Sequence, residues 1–290
     1  MYKLLYIILR YIGKEIPMRS ALKVLKEQID YFYLIRRLSL YELKSKNQNN
    51  YLGIAWEIIN PCIQILIYWF VFGTLRDRAP IEIGGEAVPF FSWLLAGFFL
   101  WIFCYQSIIQ GSRSIYSRLR MLSKMNFPMS VIPNYVIFSH FYVHLITLVI
   151  SIILLQFMGF FANIYYLQFI YFMFAAFSLL FAISLITSTI STIIRDVHMF
   201  LTSTLRMLLY VSGVLWPISR LADFPIMMTI LKLNPIFYLI EGYRSAFFGT
   251  EWYFITHWEY TLYFWGLVVI LFLFGAMFHV KFRRHFIDYL

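Results

Sequence analysis

With 290 residues, 61% hydrophobic and only 13% charged, the chain is far from the roughly 25% charged of a soluble average and reads as one polytopic membrane domain. Its formal charge of +10 does not point to nucleic acid, because 18 of the 24 Lys and Arg fall in residues 1–50, 113–124, 195 and 281–284, on one side of the apolar segments. Arg76, Arg78, Arg220, Lys232 and Arg244 fall on the other side and Arg206 within a segment, a positive-inside asymmetry that places the larger group in the cytoplasm.

Residues 3–14 put Lys3, Arg10 and Lys14 on one helical face and Leu4, Leu5, Ile8 and Ile12 largely on another. Arg10 interrupts the apolar run and no small-residue cleavage site follows, so no cleaved signal peptide is expected; Met18 is an alternative start. Leu22, Leu25, Ile29 and Phe32 then recur at helical spacing beside Lys23, Lys26, Glu27 and Asp30. That pattern predicts an amphipathic helix lying along the cytoplasmic leaflet or on a partner protein. Residues 1–50 are thus cytoplasmic N-terminal interface helices, and residues 51–290 a six-span transmembrane domain.

From Tyr41 to Leu75 a cationic, amide-rich stretch turns directly into an uncharged one. Ile58 to Leu75, as a helix, is roughly 27 Å long and crosses a bilayer core. Pro61 is expected near its start, where a missing N–H costs little, with Tyr51 and Trp56 at headgroup level. Arg76 to Pro89 is a short external loop. Further spans are predicted at Phe90–Gly111, Val131–Met158, Tyr166–Ile194, Met199–Trp216 and Leu262–Val280, giving six and leaving both termini cytoplasmic. Between the last two, Ile226–Leu233 and Ile236–Phe248 are apolar but too short to cross. With Asn234-Pro235 as a helix start and Gly249 as a stop, residues 218–261 read as an external re-entrant helical hairpin. The fold class is all-α.

Motif chemistry is missing: there is no GxxxxGK[ST], HExxH or GxSxG and no Cys-based metal spacing. Cys62 and Cys104 lie in spans and read as packing residues. His140 and His144 sit four apart on one span, but without acidic or Cys ligands they read as a packed or pore-facing pair, not a metal site.

Four blocks carry a family resemblance. YLGIAWEIINP at 51–61 resembles the opening of the first span in type-2 ABC exporter permeases of bacterial polysaccharides and teichoic acids. RDVHMF at 195–200 leading through LLYVSGVLWP at 208–217 is similar to their fourth-to-fifth span turn, and NPIFYLIEGYRSAFFG at 234–249 to their external re-entrant helix. SKMNFPMS at 123–130, with ELKS at 42–45 and NNYLG, looks most like the permeases that translocate wall teichoic acid. The resemblance implies a homodimer in the bacterial plasma membrane joined by two ATPase subunits that bind ATP and Mg. This chain itself binds no cofactor, and the complex flips a polyprenyl-diphosphate-linked polymer outward. An O-antigen or capsular polysaccharide exporter is the alternative within the class. Outside it stand a membrane-embedded glycosyl- or acyltransferase on the same lipid carrier, and a channel or receptor.

On that reading Arg36, Arg37, Lys44 and Lys46 collect a diphosphate head group, or simply bind anionic lipid. The loop carrying Ser117, Arg118, Arg120, Ser123, Lys124 and Asn126 is a coupling helix for the ATPase. Asn234, Glu241, Tyr243 and Arg244 belong to an external gate, with Glu241 and Arg244 three apart and able to pair. Tyr51, Trp56 and Glu57 border the substrate pathway. Arg206, about 10 Å inside its span, is expected to line the cavity, meeting a phosphate-bearing substrate or pairing with Glu57.

Overall fold

The computed structural model describes residues 17–75, 79–119, 127–221, 223–283 and 286; the helical face expected over residues 3–14 lies outside them. Two helices open the described chain, α1 (Pro17–Asp30) and α2 (Phe32–Lys46). The apolar residues Leu22, Leu25, Ile29 and Phe32 are all exposed. The face turned inward is instead made of smaller side chains, with Ser20, Ala21 and Val24 buried. This suits a helix whose larger apolar face lies on lipid.

The first span begins with a 3-10 turn at Gly53–Ala55 and continues as α3 (Trp56–Trp69), ending in a π-helical turn at Phe70–Thr74. Because α3 starts at Trp56, Pro61 is inside the helix and not near its first turn. Its ring removes the bond to the Glu57 carbonyl and locally loosens the ladder. The loop between the first two spans is not structureless either. Ile81–Ile83 (β1) and Glu86–Val88 (β2) pair antiparallel, and Gly84 and Gly85 take φ of 58° and 85°, as a two-residue type I′ turn requires. The all-α expectation is corrected to that extent.

α4 (Phe90–Arg113), α5 (Val131–Phe157) and α6 (Gln168–Ile193) follow as long helices, and α11 (Trp258–Phe282) closes the bundle. α4 is the central post, touching α5, α6 and α3. Of its most apolar window 83% is buried, against 11% for the first span. Among the described residues five helices are long and apolar enough to cross a membrane, not six. The expected fifth span is α7 (Asp196–Val211), a 16-residue helix about 24 Å long. It stops at Val211 because the chain turns at Ser212 and Gly213, the glycine taking a φ of 68° that side-chain-bearing residues avoid.

Between α7 and α11 lies a helical hairpin of α8 (Pro225–Lys232) and α9 (Pro235–Phe248), followed by one turn, α10 (Tyr253–Thr256). Asn234 caps α9 by accepting from the Ile236 N–H, with Pro235 at the first helical position where its lost donor is harmless. α9 is the most enclosed short element, with 11 of its 14 residues buried against α4 and α6. Gly242 makes that possible, since any Cβ there would collide with the Phe172 ring of α6.

At the end of the bundle that carries the chain's N-terminal helices, α1 packs on α11 and α2 on α5. Glu27 holds Arg283 at 2.7 Å and accepts from the Ser130 hydroxyl; Gln28 accepts from Asn134 at 2.7 Å. Ile35 of α2 enters a small core with Val131, Ile132 and Tyr135.

Candidate functional site

A cavity of about 910 Å³ opens between α3, α4, α5 and α7, with its rim at the α2–α3 junction. Helical spacing explains the α3 wall. Glu57, Asn60, Pro61, Gln64 and Tyr68 line it at intervals of three and four residues, one face of the helix. α4 adds Gln106, Tyr105 and Trp101, α5 adds His140 and His144, and α7 adds Arg206 and Tyr210. Apolar and aromatic groups close the inner end, among them Phe98, Phe99 and Leu209.

Charge is sparse and mostly compensated. At the rim Lys46 meets Glu57 at 2.9 Å, and the Asn47 amide donates to the same carboxylate at 3.1 Å. Glu57 is therefore committed to Lys46, and the expected alternative of a Glu57–Arg206 pair is not what the structure has. Arg206 lines the cavity, is exposed, and meets no carboxylate among the described residues. The amides of Asn47, Asn50, Asn60, Gln64 and Gln106 line the same cavity. Among the described residues the cavity thus offers one cation without a carboxylate partner, many neutral donors and acceptors, and flat rings, a set suited to one anionic group attached to polyhydroxyl units.

The other expected residues scatter. Trp56 is on the wall, but Tyr51 is wholly exposed and outside the cavity. Of the cationic quartet only Lys46 reaches it; Arg36, Arg37 and Lys44 are exposed elsewhere. Ser117 is exposed and bonded to the Arg113 carbonyl at 2.8 Å. Arg118 is drawn inward, paired with Glu42 and 5.6 Å above the Tyr135 ring. Arg120, Ser123, Lys124 and Asn126 lie outside the described residues. Nearby, burial raises the Tyr116 phenol above its ordinary value, opposed by the charges of Arg113 and Arg195.

His140 and His144 are both buried on the cavity wall, and no group of three metal-ligating side chains occurs among the described residues. His144 is stacked on Phe103 at 4.8 Å, and its Nε2 lies 2.9 Å from the Tyr243 hydroxyl of α9. Glu241 and Arg244 do pair, at 2.6 Å. The amide set is what sequence reasoning missed. Its signal was available, since Asn60, Gln64 and Gln106 are polar side chains inside apolar helices and such residues mark pathways.

A family model described as ABC-2 type transporter matches residues 33–248. The chain is similar to the O-antigen export system permease protein RfbA of Myxococcus xanthus, 25% identical over 228 residues, covering 78% of this chain and 85% of that one. It is also similar to the protein of the same description from Klebsiella pneumoniae, 24% identical over 249 residues, covering 84% of this chain and 91% of the relative.

Proposed function

The chain belongs to the ABC-2 type transporter family, and from that premise we propose that it is the membrane permease subunit of an exporter that flips a lipid-diphosphate-linked polysaccharide outward. Membership bears out the resemblance carried by YLGIAWEIINP and NPIFYLIEGYRSAFFG, the first within the matched residues and the second within them up to Phe248. As a transport membrane subunit it works with a separate ATPase subunit. The observation that carries the substrate reading is the cavity, with its one uncompensated cation, Arg206, among amides and rings. A diphosphate beside a run of sugars matches that inventory: the anion takes the guanidinium, the hydroxyls take the amides, and the apolar sugar faces take the rings.

Between the two polymer classes, a polysaccharide is better supported than wall teichoic acid. The relatives named above are O-antigen permeases, and a polymer with a phosphate on every unit would find few cations in this cavity. The teichoic reading rests on SKMNFPMS, ELKS and NNYLG. In the proposed assembly two copies of this chain join two ATPase subunits in the plasma membrane of a bacterium, with the cation-rich ends of the helices inside. The 117–126 loop meets the ATPase, and the α8–α9 hairpin re-enters the outer leaflet as an external gate.

Purification with its ATPase subunit and reconstitution in liposomes tests the proposal. A polyprenyl-diphosphate-linked neutral oligosaccharide should stimulate ATP hydrolysis and appear on the far leaflet. Sugar transfer onto the carrier without ATP would instead establish a transferase, and no stimulation by any carrier-linked glycan would refute the export reading.

A further inference from the structure

Tyr243 and Arg244 are adjacent on α9, so their side chains leave the helix about 100° apart. Tyr243, 1% exposed, reaches His144 on the cavity wall of α5 at 2.9 Å. Arg244, 3% exposed, turns to the end of α7. It donates to the carbonyls of Gly213 at 3.0 Å and Val214 at 3.1 Å, and lies 3.5 Å from the Trp93 ring centre on α4. Those carbonyls belong to the turn that stops α7, whose last carbonyls have no partners within the helix. The α7 turn therefore takes its geometry from a side chain of α9. Gly213 stands seven residues, roughly 10 Å along the chain by helical rise, beyond Arg206. One residue of α9 is thus bonded to the cavity wall, and the next to the end of the helix that carries the cavity's uncompensated cation.

We propose that Tyr243 and Arg244 are paired positioning residues that transmit loading of the inner cavity to α9. The inference rests on the export reading above. Arg244 holds α9 and the α7 turn in one closed arrangement, because releasing it strands two buried carbonyls and a desolvated guanidinium together. Its Glu241 partner at 2.6 Å is part of α9 itself and moves with it, so of Arg244's own contacts it is those to Gly213, Val214 and Trp93 that must break. Polymer entering the cavity displaces the walls that carry His144 and Arg206, and α9 is the element bonded to both sides. An arrangement of this kind couples two sites through an element with two discrete positions, and the ligand must bind one position better than the other.

The test uses the reconstituted complex with Cys62→Ser and Cys104→Ala, a reporter Val143→Cys on the cavity wall, and a membrane-impermeant thiol reagent outside. Labelling is measured with ATP, with and without a polyprenyl-diphosphate-linked neutral oligosaccharide. The unsubstituted latch should show labelling that rises with the oligosaccharide. Tyr243→Phe deletes a single oxygen and should shrink that rise by roughly five-fold, the scale of one hydrogen bond. Arg244→Lys keeps the charge but cannot span both carbonyls, and should raise labelling in the oligosaccharide's absence by a similar factor. A merely structural role would lower assembly and leave the ratio of loaded to unloaded labelling unchanged. Variants that keep the parent's ratio overturn the inference while leaving the export reading intact. A parent that neither labels nor hydrolyses ATP in response to the oligosaccharide overturns the export reading, and the inference with it.

Discussion

Arg206 is the residue on which the substrate reading turns. A charged side chain at the centre of a membrane helix costs about 2.5–3.5 kcal/mol on insertion scales, so it persists where water or a ligand meets it. Snorkelling to Asp196 would have to cover ten residues of helix, roughly 15 Å, too far even for Arg. Glu57 is already held by Lys46 and Asn47. Arg206→Lys should keep part of the carrier-stimulated flipping, because a point charge replaces a fork. Arg206→Met should lower it roughly ten-fold or more, the scale of a charged hydrogen bond, with assembly and basal ATP hydrolysis near normal. Flipping assays on both variants decide it, and a Met variant that flips normally would remove substrate contact from the account.

At the level of elements, two contacts locate the weight-bearing joints. α9 can approach α6 only because residue 242 has no side chain. Gly242→Ala should therefore cost roughly 1–3 kcal/mol through overpacking against Phe172, visible as a lower midpoint in thermal unfolding of the purified complex; an unchanged midpoint would show that the two helices can part freely. Arg118, in the 3-10 turn Tyr116–Arg118 that follows α4, and Glu42 of α2 join those two segments with side chains 20% and 29% exposed. Arg118→Glu should loosen that joint by about 1 kcal/mol, and adding Glu42→Arg should restore it. If the double variant regains stability but not ATPase stimulation, the coupling role expected of Arg118 survives beside its structural one. If both return together, Arg118 acts through packing alone. The elements legible in the sequence were those with a long uncharged run, α4, α5, α6 and α11, and those with explicit punctuation, such as Asn234-Pro235 and Gly249 around α9. The early end of α7 was not legible, because VSGVLWP continues the apolar run and only the left-handed Gly213 breaks it. The β1–β2 hairpin carried a signal in its central Gly-Gly, which the brevity of the loop concealed. Glu57 was expected to border the pathway, with Arg206 as an alternative partner, but it pairs with Lys46, which comes from a separate helix that sequence spacing does not place.

For the whole molecule the open question is what covers α3. Exposed apolar surface alone proves nothing in a bilayer, where lipid tails solvate leucine as well as protein does. Exposed polar surface is different, because an amide or guanidinium facing hydrocarbon costs several kcal/mol. Only 11% of the first span's apolar window is buried, while Asn60 and Gln64 on that helix and Arg206 and Tyr210 on α7 are exposed along the cavity. One copy of the chain therefore leaves a polar wall that lipid cannot cover. A second copy, related by two-fold symmetry and bringing its own α3 and α7, would enclose both cavities and give a polysaccharide a continuous wet path. Single cysteines at Ile67 and Met207, 54% and 71% exposed, placed in a background lacking Cys62 and Cys104, should then form crosslinked dimers in membranes. A cysteine at Ile170 on α6, 68% exposed, should face lipid and stay monomeric. Export should fall when the α3 or α7 pair is locked and recover on reduction. A transporting complex that contains one copy of this chain per particle by native mass spectrometry would refute the arrangement, and some other subunit would have to cover Asn60, Gln64 and Arg206.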